Sequence, residues 1–305
     1  AAAAEVLVPS AENDPVPLHG RRPATGRVET QTFELPHARA PAYIPWLPPS
    51  APPTPARGAG APFLDYHDVD WAAAEIRRAR EDGLRGGVLL PGEWGDLPSY
   101  NDPRYDAVWS ACAELDLPVN THPTGTTLDD YAELPGRTAI FLSEVKWYAH
   151  RPFTVVLWGG VLERFPTLRF VLTEQMADWV PETLEYFDDL YDRPIFAQIR
   201  ADLPLRPSEY WERQCWVGAS FLVHKEVELR DRIGVGKIMW GSDYPHAEGT
   251  WPHTKKKLAE TFAGVPRDDV ARMVGTNAAA IYGFEPRKLA PLVDRIGPEP
   301  GAVTA

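Results

Sequence analysis

From residue 65 to residue 274 the chain alternates short apolar runs with stretches whose apolar positions recur every three or four residues. The runs at 87–90, 117–120, 168–172, 215–219 and 237–240 are apolar through most of their length and read as buried strands. Helical periodicity marks 71–82, with Asp70 as its cap and Gly83 as its stop, and 105–115, where Val108, Ala111, Cys112 and Leu115 share one face. Further helices are predicted over 138–149, 153–165, 178–190, 224–233, 254–262 and 266–274. Five strands alternating with helices predict a parallel α/β sheet with helical crossovers. A barrel and an open doubly wound sheet both fit this pattern. No Gly-x-Gly-x-x-Gly follows a strand, which removes the main support for a dinucleotide-binding fold.

The first 64 residues do not share the pattern. Of the 32 prolines in the chain, 13 lie there, and between 11 and 64 no period of 2 or 3.6 is sustained. Only 5–8 looks like a strand. Proline removes a donor and opposes helix, so 1–64 reads as an extended or disordered arm, 65–290 as the folded domain and 291–305 as a disordered tail. No internal repeat is present.

Composition narrows the function. A formal charge of −12 argues against nucleic acid or an anionic membrane as the partner. No apolar run approaches a membrane span, and no secretory signal opens the sequence. Two cysteines, Cys112 and Cys215, do not make a disulfide framework and read as buried thiols of a reducing compartment. The expectation is a cytoplasmic enzyme with a small-molecule substrate, and a homodimer is an open alternative to a monomer.

The candidate chemistry lies where strands end. The run 117–120 leads to Thr121-His122-Pro123, 168–172 leads to Thr173-Glu174-Gln175, and 237–240 leads through Gly241 to Ser242-Asp243-Tyr244-Pro245-His246. In parallel α/β folds the residues past the C-terminal ends of strands line the active face. One imidazole and two carboxylates, His122, Glu174 and Asp243, make a ligand set for a divalent ion, with zinc the first choice and manganese or magnesium the alternatives. Such an ion would polarise a substrate oxygen or acidify a water, and a neighbouring carboxylate would serve as acid or base. Taken singly, each residue has a plainer reading: Asp243 as a turn cap, His122 as a hydrogen-bonded loop histidine, Glu174 as a charge at a helix N-terminus. Three coincidences at strand ends favour a site. His246 is a candidate contact for a substrate carboxylate, or else packs in the Tyr-Pro turn. Trp94 is a candidate pocket wall or a surface aromatic. His19, His37 and His67 read as flexible or capping residues, and Lys255, Lys256 and Lys257 as a solvated helix face.

The motifs add a resemblance. The segments Tyr105-Asp106-Ala107-Val108-Trp109, Leu117-Pro118-Val119-Asn120-Thr121-His122-Pro123, Gly160-Val161-Leu162-Glu163-Arg164-Phe165-Pro166, Gly241-Ser242-Asp243-Tyr244-Pro245-His246 and Asn277-Ala278-Ala279-Ala280-Ile281-Tyr282-Gly283, with Glu174 and Trp179, occur in this order. They resemble the amidohydrolase-related family of metal-dependent TIM (β/α)8 barrels that includes aminocarboxymuconate-semialdehyde decarboxylase and the resorcylate decarboxylases. The resemblance, from about residue 68 to 283, implies that His122 is a metal ligand and that Asp243 is a metal ligand and acid/base group. Family decarboxylases carry a catalytic histidine where this chain has Glu174. They also carry His-x-His or Glu-x-His on their first strand, and no such motif occurs here. The stretch 4–10 resembles the family's second strand, and no third strand is recognisable before His67. The expectation is an incomplete barrel, truncated at its start and frame-shifted between 11 and 64. The implied function is a metal-dependent hydrolase or non-oxidative decarboxylase acting on a small carboxylated or cyclic substrate. The alternatives are an inactive fragment and a metal-free, lactonase-like hydrolase.

Overall fold

The computed structural model describes residues 59, 61–62, 64–91, 97–123, 131, 133, 135–220, 222–244, 246–298 and 300–303. The arm expected over 1–64, with its strand at 5–8 and with His19 and His37, lies almost wholly outside the described residues, and so does Trp94.

Five strands form at the five apolar runs: β1 (Val88–Leu89), β2 (Pro118–Thr121), β3 (Arg169–Thr173), β4 (Cys215–Ser220) and β5 (Ile238–Gly241). They are all parallel and lie in the sheet in the order in which they occur in the chain. A doubly wound sheet reverses its strand order part-way across, whereas a barrel wall advances one strand at a time. The sequential order decides for the barrel type. The expected loss of a first strand and the unrecognised third strand concern the part of the chain outside the described residues.

Alternation along the strands explains why they read as unbroken apolar runs. Val119, Phe170, Leu172, Val217, Ala219 and Ile238 face the helices and join the main core. Val171, Met239 and Trp216 point to the opposite face and pack with Ile281, Ala278 and Tyr282. On that second face Asn120 donates to the carbonyls of Gly86 and Val88 at 2.8 and 3.0 Å and accepts from the Tyr282 hydroxyl at 2.7 Å. The helix that follows β3, Trp179–Asp192, is anchored by Trp179, whose ring meets Phe153 and Trp211 in the main core. Between the loops after β3 and β4, the buried Glu226 carboxylate accepts from the backbone N–H groups of Ala177 (2.8 Å) and Val223 (3.0 Å).

Several local expectations change. The first helix is Val69–Glu81, and its cap is Asp68, which accepts from Trp71 N at 2.9 Å; Asp70 sits inside the first turn. The stretch 153–165 divides into Arg151–Trp158 and Val161–Arg164, because Gly160 adopts φ 72°, which ends the first helix. The stretch 224–233 divides into His224–Val227 and Arg230–Ile233. The tail expected from 291 holds the end of the helix Pro286–Ile296 and the short helix Pro300–Val303, whose Val303 is buried in the main core. Among the described residues no helix is long and apolar enough to cross a membrane.

Two predictions follow from packing. Gly87 has φ 78°, and a Cβ there would fall on the carbonyl oxygen of Pro118 at the start of β2. Gly87→Ala should therefore lower stability by about 2–4 kcal/mol in urea unfolding, through backbone strain and overpacking; an unchanged midpoint would contradict this close approach. His150 is stacked on Trp179 with ring centroids 3.9 Å apart, and burial, then Lys146, hold its pKa down from 6.5 to about 4, against the opposing pull of Asp178. Because the folded value lies below the unfolded one, the unfolded chain takes the proton first, and stability is lost as pH falls from about 6.5 to about 4. His150→Phe should flatten the pH dependence of unfolding in that window by at most about 1.4 kcal/mol per pH unit. Equal slopes for the two proteins would refute the assignment.

Candidate metal centre

The parallel register brings the strand mouths level. Thr121 of β2 pairs with Leu172 of β3, Thr173 with Gly218 of β4, and Ser220 with Gly241 of β5. The residues just beyond, His122, Glu174 and Asp243, therefore emerge at one end of the sheet. Glu174 (φ 52°) and Asp243 (φ 57°) both take the left-handed backbone conformation, uncommon for residues with a Cβ and found preferentially where geometry serves a site.

Each is held from both sides. Next to Glu174, the Thr173 hydroxyl donates to the carbonyl of Thr121, and Gln175 N donates to Gly218 O at 3.2 Å. The Gln175 side chain donates to Ala149 O at 2.9 Å. After Asp243 the chain folds back on itself: His246 N donates to Asp243 O (2.9 Å), Gly249 N to His246 O (3.0 Å) and Thr250 N to Ser242 O (2.9 Å). A Cβ at Gly249 would meet the carbonyl oxygens of Asp243, His246 and Ser242 at 2.8–3.0 Å, so glycine is what lets this loop close.

The four side chains form an alternating row of imidazoles and carboxylates. His122 Nε2 lies 2.7 Å from Glu174 Oε2, His246 Nδ1 lies 2.9 Å from Asp243 Oδ2, and His246 Nδ1 lies 3.9 Å from Glu174 Oε1. The hydrogen bond from His122 holds the Glu174 carboxyl below its usual range, against the effect of burial. Burial, then the neighbouring Glu174 charge, pushes the Asp243 carboxyl up. The charge of Asp243 raises His246 in turn. Environments that push two adjacent carboxyls in opposite directions separate an acid/base role from a charge-holding role.

The donor set fits a cation. One donor atom each from Glu174, Asp243 and His246 lies within 4.8 Å of the others. Ligands on a tetrahedral zinc at about 2.0–2.1 Å stand about 3.4 Å apart. Within this set, the separations from His246 Nδ1 of 2.9 Å to Asp243 and 3.9 Å to Glu174 bracket that edge. Imidazole with carboxylates suits zinc or manganese. His122 stands on the far side of Glu174, outside this three-residue set.

The four sequence-predicted residues among those described thus come together. Of the remaining histidines, His67 belongs to the turn before the first helix, where its backbone N–H donates to Asp65 at 2.9 Å. Sequence reading missed the supports Thr173, Gln175 and Gly249. It also missed the exposed pair Tyr244 and Trp251, packed edge to face at 5.9 Å in the loop that carries His246. Gly249, the single glycine between Ser242 and His253, was the available signal.

Comparison with known proteins identifies the family. Decarboxylase orsB of Emericella nidulans is 27% identical over 202 residues, covering 63% of this chain and 59% of that protein. The crystal structure of an amidohydrolase from Mycobacterium avium subsp. paratuberculosis K-10 superposes with a TM-score of 0.58 at 24% identity, covering 73% of this chain and 58% of that one. A dihydroxybenzoic acid decarboxylase from Polaromonas sp. JS666, solved with bound manganese and 2-nitroresorcinol, gives a TM-score of 0.57 at 18% identity, covering 77% and 72%. The chain thus spans somewhat under two thirds of the first two relatives. The amidohydrolase family model matches residues 24–284, a span that reaches back into the proline-rich stretch. The chain belongs to the amidohydrolase family.

Proposed function

We propose that the strand mouths form a mononuclear metal centre of a hydrolase or non-oxidative decarboxylase acting on a small carboxylated or cyclic substrate. The observation that carries this reading is the convergence of Glu174, Asp243 and His246 donors within 4.8 Å, with His122 on the outer oxygen of Glu174. Glu174 and Asp243 would hold the ion between them with His246 as the nitrogen donor, and His122 would hold the outer oxygen of Glu174. Zinc is the first choice; the manganese bound by the Polaromonas decarboxylase makes that ion the nearest alternative. When bound, the ion would polarise a substrate oxygen or acidify a water.

The chain's own residues supply the rest. Asp243, set in a strained turn and bonded to His246, is placed to move a proton. In hydrolysis it takes the proton of the attacking water and returns it to the leaving group. In decarboxylation the carbon–carboxyl bond breaks, carbon dioxide leaves, and Asp243 delivers the proton to that carbon. Glu174, kept ionised by His122, orients and holds charge. His246, with half its side chain exposed, is placed to meet a substrate carboxylate at the solvent side. The enzyme is taken to be cytoplasmic, with a homodimer as its simplest assembly.

Asp243→Asn should keep the fold, as read by far-UV circular dichroism, and should lower turnover by about 10²–10⁴-fold on the best substrate from a panel of carboxylated aromatics and lactones. Retained turnover would remove Asp243 from the chemistry. Exhaustive chelation should abolish turnover, and zinc or manganese should restore it. Activity that survives chelation would instead favour a metal-free hydrolase.

A further inference from the structure

The helix Arg137–Ala149 is more apolar than its surroundings account for. Eight of its 13 residues are apolar, among them Ile140, Phe141, Leu142, Val145 and Trp147, yet only Ala149 of this helix is buried among the described residues. Trp147 is 83% exposed and Leu142 61% exposed. A surface helix normally turns its apolar stripe toward the core, and contiguous apolar surface left open marks an interaction site.

This face carries a knob beside a hole. Ser143, Lys146, Trp147 and His150 recur at helical spacing and form one wall of an open groove of about 920 Å³. Glu182, Thr183, Tyr186 and Phe187, at the same spacing on Trp179–Asp192, form the other, and Tyr186 is itself exposed. Trp147 stands at the rim with most of its ring in solvent. Charge narrows the occupant. The chain carries a net −12, so two copies repel over most of their surfaces. Within the groove Lys146 and Arg151 offset Asp178 and Glu182, and Lys146 Nζ is already paired with Asp178 Oδ2 at 3.0 Å. A locally neutral face selects neither an acidic nor a basic partner, and on an acidic chain it is where two copies can approach. A surface holding both a knob and a hole complements itself, as a two-fold dimer contact requires.

We propose that this face is the contact between two copies of the chain, with Trp147 of each copy seated in the groove between Arg137–Ala149 and Trp179–Asp192 of the other. Tryptophans buried at the centre of an interface carry a large share of its energy, so Trp147 is the anchor of the contact. The contact rests on the homodimer of the proposed function and gives it a surface. It does not depend on whether the strand mouths hold a metal.

The test is analytical ultracentrifugation of the full chain over a range of concentrations. The wild type should sediment as a dimer at micromolar concentration, and Asp243→Asn should leave that dimer intact. Trp147→Ala removes the knob, and Ser143→Arg, also at an exposed position, obstructs the groove. Each should keep the far-UV circular dichroism spectrum and raise the dimer dissociation constant about thirtyfold. An equimolar mixture of the two variants should associate more tightly than either alone, because one intact knob then meets one open groove. A wild type that stays monomeric at every concentration would overturn both this contact and the homodimer. A dimer unaffected by either variant, or a mixture no tighter than its parts, would overturn this contact and leave the homodimer standing. Dissociation of the dimer by Asp243→Asn would move the contact to the strand mouths and overturn it as well.

Discussion

Two carboxylates held side by side are the constraint on which the rest of this site depends. Glu174 and Asp243 lie at the mouths of β3 and β5, on either side of β4, in half-buried surroundings where like charges repel more strongly than in water. Such a pair persists only if positive charge or donated protons stand close by. The protein places an imidazole against each, His122 on Glu174 and His246 on Asp243. The same crowding that makes the pair costly makes it a good receptor for a divalent cation, which would satisfy both oxygens at once.

Rigid supports keep the pair from separating. The left-handed backbone at Glu174 and Asp243 costs on the order of 1–3 kcal/mol at each position. Hydrogen bonds from Thr173 and Gln175 hold the first, and the closed turn around Gly249 holds the second. Behind them, the helix after β3 is pinned through Trp179, Phe153 and Trp211 in the main core. The core thus offsets local strain that no single loop could sustain.

One short stretch after β3 serves two surroundings. Glu174 stands beside Asp243, while Asp178 and Trp179 line a groove against the helices Arg137–Ala149 and Arg151–Trp158. Gln175 and Ala177 between them are tied down by Ala149 and Glu226, so the two ends of the stretch are held by separate hydrogen bonds. A barrel wall allows this because residues leaving a strand mouth pass over the rim and then descend along the outer helix layer.

What the sequence by itself determined was the set of local elements and the types of residue at their ends. All five strands appear where unbroken apolar runs occur, because a strand buried on both faces has no polar alternation to hide it. His122, Glu174, Asp243 and His246 were legible because each stands within a few residues of such a run. The choice between barrel wall and doubly wound sheet was not legible, since both use the same alternation and differ only in which strand pairs with which. Tertiary structure alone decided that order, and with it the distances between side chains tens of residues apart in sequence. It also made Asp68 the cap in place of Asp70, broke the predicted helix at Gly160, and gave Thr173, Gln175, Glu226 and Gly249 their supporting roles. Those roles rest on partners from other strands and loops, and a one-dimensional pattern holds no record of contacts that only folding creates.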